Sequence, residues 1–205
     1  MKKFVSLFLL FMLPAASSFA DYQIKYQEQE KFQLVEFSGD LFSAVFHPEI
    51  NEVLAQIHGQ KDMVLKVGLS HGGVVSRFIW LIEKIKTECS VKKGSACRLT
   101  TVFTSSCASA CTQFPLLSDY SISLPKARFL FHRTWILSSK LTLQSKADLA
   151  QNYVRQGGSA DWFEANQEKL SRNDNSFYKM TKQEELESGL IDRQMASWAQ
   201  FVLEY

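Results

Sequence analysis

No G-x-x-x-x-G-K-[ST] stretch occurs in the 205 residues, so the loop that cradles a nucleotide phosphate is missing, and with it any ATPase of the chain's own. A basic excess is missing as well. The 23 lysines and arginines include Lys2 and Lys3, and without these two they only balance the 21 acidic residues. No basic stripe remains for nucleic acid or for a polybasic membrane contact. The four histidines do not stand at zinc-ligand spacing from the cysteines, which argues against a metal site. No internal repeat and no low-complexity linker is present. The one long apolar run, Phe4–Leu13, ends at Pro14 and falls short of the ~20 residues that span a bilayer.

That short run reads instead as part of a leader. Lys2 and Lys3 form a basic start, Phe4–Leu13 an apolar centre, and Ser18-Phe19-Ala20 a small-x-small cleavage site. Residues 1–20 are thus expected to be a signal peptide, and residues 21–205 one domain. Asp21 rather than a cysteine follows the cut, so no lipid anchor is expected. The expected location is the periplasm or the medium, with no stable membrane anchor after cleavage. Cys89, Cys97, Cys107 and Cys111 all lie in the exported part, where disulfides persist. Of the three connectivities that four cysteines allow, spacing favours Cys89–Cys97 across the turn Ser90–Ala96, and Cys107–Cys111. The second pair needs Cys107 to lie before a helix rather than in it, because i,i+4 positions of one helix hold their Cβ atoms too far apart.

Along the mature chain, Tyr22–Phe37 alternates loosely, with Phe32, Leu34 and Phe37 on one side, and turns at Ser38-Gly39-Asp40. Pro48 opens a helix whose stripe is Ile50, Val53, Leu54 and Ile57. His47 and His58 flank it as surface or cap residues. Val64–Leu69 is a β-prone run, followed by Ser70-His71-Gly72-Gly73 and a helix over Val74–Lys86 with Val75, Phe78, Ile79, Ile82 and Ile85 inward. Strand, helix, strand, helix and strand in succession imply a parallel sheet with helical crossovers. Helices are expected over Leu143–Arg155 and, capped by Ser159, over Ala160–Leu170. Thr181 and Glu184 have capping-box spacing, and Trp198, Phe201 and Leu203 give the tail an apolar face.

The segment Arg98–His132 concentrates the chemistry. A buried strand, Leu99–Thr104, leads through a small-residue turn into a short helix opening at Ala108-Ser109-Ala110. There a serine hydroxyl and helix N-terminal N–H groups can face one substrate. Pro115, six residues on, must shorten or kink that helix. Gly72 and Gly73 allow positive φ and close approach of their N–H groups to a ligand. Leu124-Pro125-Lys126-Ala127-Arg128-Phe129-Leu130-Phe131-His132 then brings a histidine to a strand end.

This order resembles the ClpP/crotonase superfamily and, within it, the proteolytic subunit of Clp. The matching blocks are Ser70–Gly73 (SPGG in the family), Ala108-Ser109, Leu124–His132 (LPxxRxxxH) and Thr181–Asp192, within a likeness covering roughly Phe32 to Asp192. The resemblance implies an α/β spiral of ββα units with a mainly parallel sheet. It further implies a serine peptidase acting on peptides or proteins, and self-association into a homo-oligomer. The missing phosphate loop and the expected export make that peptidase ATP-independent, with no cofactor expected. Ser109 would be the nucleophile and His132 the base, with oxyanion donors from Gly72 or Gly73 and from Ala110. Counting back from Asp192 puts the orienting residue at Asn173 or Asp174, and chemistry prefers the carboxylate of Asp174. His71 departs from the family's Ser-Pro. The alternatives are a catalytically inactive binding or assembly module and the crotonase branch. An exported chain rarely meets the acyl-thioesters of that branch, and a Ser/His pair is not its signature.

Overall fold

The computed structural model describes residues 22–42, 48–132, 135–136, 142–143, 151, 153–155, 157–171 and 176–205. The expected leader, His47, Asn173, Asp174 and most of the helix expected over Leu143–Arg155 lie outside the described residues.

The protein is a mixed α/β fold around a mainly parallel six-stranded sheet. Its strands β1 (Tyr22–Glu28), β2 (Gln33–Gly39), β3 (Met63–Val67), β4 (Leu99–Phe103), β6 (Tyr120–Ser123) and β11 (Arg193–Gln194) lie in that spatial order. Only β1 runs antiparallel to its neighbour, as a hairpin on β2. The remaining pairs are parallel because helices return the chain to the same edge between strands. The first two are α1 (Pro48–Gln56), opened by the expected proline, and α2 (Val75–Lys93). The third crossover is shorter, built from a 3₁₀ turn and α3 (Gln113–Leu117).

Helix α2 runs past the expected end at Lys86 to Lys93. No residue before Gly94 takes the left-handed conformation cheaply, and Gly94 does so at φ 67°, donating its N–H to the Ser90 carbonyl. The extra turns bury Cys89, and Leu81 takes the core position expected for Ile79.

A strand's side chains alternate, and β2 therefore serves two cores. Val35 and Phe37 belong to the larger one, under the helices, where Phe37, Phe78 and Phe114 meet ring to ring at centroid distances of 5.0–5.9 Å. Phe32 and Leu34 face the other side, so Phe37 does not join them as the sequence reading expected. That second face is closed by the C-terminal helix Trp198–Glu204, whose Phe201 is buried beside Phe32, Trp198 and Tyr205. Leu203 points away from it, 81% exposed. The stripe is 198, 201, 202 and 205, the i, i+3, i+4, i+7 positions of one helix face.

A second sheet stands beside the first, with β5 (Ser106–Ala108) parallel to β7 (Arg128–Phe131), and β10 (Tyr178–Lys179) antiparallel on the far side of β7. Leu143 lies in a two-residue strand, β9 (Thr142–Leu143), paired with β8 (Trp135–Ile136), rather than opening a helix. The segment capped by Ser159 breaks at Asn166 into the helices Ala160–Ala165 and Gln167–Leu170. The expected capping box forms: the Thr181 hydroxyl accepts from Glu184 N–H, and the Glu184 carboxylate accepts from Thr181 N–H.

Candidate active site

Ser109 sits where β5 gives way to the 3₁₀ turn Ser109–Thr112. Its φ of 53° makes it the one non-glycine residue in the left-handed region among the described residues. An L side chain there crowds the backbone, and the surroundings must hold it. Two local devices do so. The Cys107–Cys111 disulfide spans the turn with its Cα atoms 5.3 Å apart, Cys107 lying on the strand before the helix as the spacing argument required. The Thr112 hydroxyl donates to the Ser109 carbonyl at 2.6 Å and accepts from the Tyr153 hydroxyl, also at 2.6 Å. Burial pushes the Tyr153 phenol well up, so it remains a protonated donor. The other disulfide joins Cys89 to Cys97 and ties the end of α2 to the start of β4.

His132 follows the last residue of β7, which pairs with β5 in parallel register. This pairing brings the histidine back to the serine: Nε2 of His132 lies 2.9 Å from Oγ of Ser109. The imidazole ring also meets Phe177 edge to face, with centroids 4.7 Å apart. A hydroxyl in hydrogen-bond reach of an imidazole can pass its proton to it while the oxygen attacks a carbonyl carbon.

The glycine loop lies against the serine. Ser70 is fully buried and bridges to Cys107, its N–H donating to Ser106 O and its carbonyl accepting from Ala108 N–H, both at 2.9 Å. Gly72 has φ 112°, and a Cβ there would stand 2.8 Å from both the Ala108 carbonyl and Ser109 Cβ, so only glycine fits. Gly73, at φ 139°, is packed as tightly on the Leu41 backbone. The two glycines differ in one respect. The Gly72 N–H is turned toward the Asp40 carboxylate, at 3.2 Å, and the Ser70 hydroxyl, at 3.3 Å. The Gly73 N–H meets no acceptor among the described residues. Ala110, at the start of the 3₁₀ turn, has its N–H where no earlier helical carbonyl is in register.

The structure thus brings Ser109, His132, Gly72 and Ala110 together, with Gly73 next in the glycine loop and packed on Leu41, whereas Asp174 and Asn173 fall outside the described residues. Asp40, Thr112 and Phe177 are near the site without having been singled out by sequence. Asp40 and Phe177 carry no local pattern, and Thr112 is marked only by lying three residues after the serine. His71 keeps its side chain in solvent, 69% exposed, and among the described residues reaches Asp40. His58 belongs to a surface cluster with Glu28. No three His, Cys, Asp or Glu side chains gather as metal ligands among the described residues, and no helix among them is long and apolar enough to cross a membrane. No protein-family model matches the chain, and no curated protein matches it in sequence.

Proposed function

We propose that this chain is an exported, ATP-independent serine peptidase of Clp-peptidase type, acting on peptides or proteins. The observation that carries the reading is the 2.9 Å Ser109–His132 hydrogen bond at a serine whose backbone is held at positive φ. Strain kept at one residue, where a nucleophile would stand, is a mark of a functional turn. A ClpP-like spiral is supported by the connectivity. Strands β4 and β6 of the main sheet are each followed at once by a strand of the side sheet, β5 and β7, so consecutive units carry one strand in each layer.

In the proposed reaction Ser109 Oγ attacks the scissile carbonyl carbon while His132 Nε2 takes its proton. The carbonyl oxygen, now negative, is held by the N–H groups of Gly73 and Ala110. His132 then gives the proton to the leaving amine, the C–N bond breaks, and an acyl-Ser109 ester remains. Water, deprotonated by the same imidazole, hydrolyses that ester and restores the serine. Asp174, or Asn173 in its place, is assigned to hold the far side of the imidazole. Cleavage of residues 1–20, a periplasmic or extracellular location and homo-oligomer formation belong to the same proposal.

An inactive binding module has one observation in its favour, the engagement of the Gly72 N–H by Asp40. Labelling with a fluorophosphonate separates the two readings. The peptidase reading expects Ser109 to be modified in the wild type, and His132→Ala to lower the labelling rate by about 10³-fold or more with the fold retained. Equal labelling of wild type and Ser109→Ala, or none of the folded wild type, would leave the binding module.

A further inference from the structure

We infer that Asp40 is the positioning residue of the glycine loop, aiming the Gly73 N–H at the oxyanion by occupying the two N–H groups before it. The inference rests on the peptidase reading above.

Asp40 follows the last residue of β2, and the backbone on both sides of it is tied to the loop. Gly39 N–H donates to Leu69 O at 2.7 Å, Leu41 N–H to Gly72 O at 3.0 Å, and Val74 N–H to Leu41 O at 2.9 Å. The aspartate is therefore fixed opposite Ser70–Gly73, with its side chain only 17% exposed. One carboxylate oxygen, Oδ1, accepts from His71 N–H at 2.5 Å and from Gly72 N–H at 3.2 Å, while Oδ2 lies 3.3 Å from His71 Nδ1. Charge-assisted bonds to backbone N–H groups are among the stronger ones a side chain makes.

Two consequences follow for the site. The Gly72 N–H is committed to Asp40 and Ser70, and the donor left for an anion beside Ser109 is Gly73, together with Ala110. Both glycines, which lie between the carboxylate and the serine in the loop, hold positive φ, a backbone state that lets main-chain N–H groups line an anion site. The identity of residue 71 matters through its backbone. A proline there, as in the family pattern, has no N–H to give, so the Ser-His departure is what makes the shorter of the two Asp40 bonds available.

Hydrogen–deuterium exchange and turnover on Asp40→Ala and Asp40→Asn, in the otherwise intact protein, test this. In Asp40→Ala the His71 and Gly72 amides should exchange roughly tenfold faster or more, with β1 and β2 unchanged. Its kcat on a peptide ester should fall about tenfold or more at similar KM, short of the ~10²–10³ that losing an oxyanion donor outright costs. Asp40→Asn keeps the Oδ1 acceptor and should return both values to within about threefold of wild type. Unchanged exchange in Asp40→Ala would remove Asp40 as the holder of the loop. Faster exchange with unaltered kcat would remove its bearing on the reaction. Wild-type turnover no greater than that of Ser109→Ala would remove the peptidase reading, a failure distinct from the other two.

Discussion

At the scale of single residues, the conformation of Ser109 and the environment of Glu28 have consequences that can be measured. A left-handed residue with a Cβ stores on the order of 1 kcal/mol that glycine does not. Ser109→Gly and Ser109→Ala both lose the bond to His132, so their difference isolates the backbone. Chemical denaturation should find the glycine variant more stable by about 1 kcal/mol, and equal midpoints would mean that the turn is unstrained. Glu28, on the far edge of the sheet, is held low, at about 2, first by the Lys61 ammonium and then by the Tyr26 hydroxyl. Its folded value lies below the unfolded value of about 4.3, so its contribution is complete above that pH and is lost as the pH falls toward 2. The side chain is 44% exposed, and screening limits the effect to about 1 kcal/mol or less. The stability difference between wild type and Glu28→Gln, followed by urea unfolding, should shrink as the pH falls from 5 to about 2. A difference that stays flat would contradict the assignment.

At the scale of elements, the two disulfides have similar loops and unlike duties. They span 8 and 4 positions in sequence, so chain entropy assigns each a similar stabilisation of roughly 2 kcal/mol. One joins a helix end to a strand start far from the serine, whereas the other brackets the serine itself. Replacing Cys107 and Cys111 by alanine should therefore cost about as much stability as replacing Cys89 and Cys97. Only the first pair should also slow fluorophosphonate labelling of Ser109, by about tenfold or more, because it frees the turn that presents the hydroxyl. Matching labelling rates in the two double variants would show that the Thr112–Tyr153 bonds suffice to hold the turn.

At the scale of the whole molecule, the sheet has two covered faces, and the second depends on one short helix. Phe201 is buried there among three aromatic rings, while Leu203, two residues on in the same helix, is exposed. Phe201→Ala should lower global stability by about 3–5 kcal/mol and Leu203→Ala by no more than about 0.5 kcal/mol. Both are readable in thermal or urea unfolding. Comparable losses would place the helix differently on the sheet.

What the sequence determined by itself was local or periodic. The alternation of strands and helices through β4, the stripe Ile50-Val53-Leu54-Ile57, the capping box at Thr181 and both short-range disulfides were legible. Each depends on residues a few positions apart, or on a 3.6-residue period that a single segment displays. The Ser109–His132 pairing was legible only through the resemblance, since 23 residues separate the two and nothing local joins them. That Phe37 faces away from Phe32 and Leu34 follows from strand alternation, since an odd number of positions separates them, but which core each face meets was decided by the tertiary structure. It alone decided that Leu143 lies in a strand pair, because a two-residue bridge carries no period. It alone brought Asp40 to the glycine loop. Any aspartate can accept two N–H groups, and which ones it meets was set by the parallel register that carries the end of β2 alongside the end of β3.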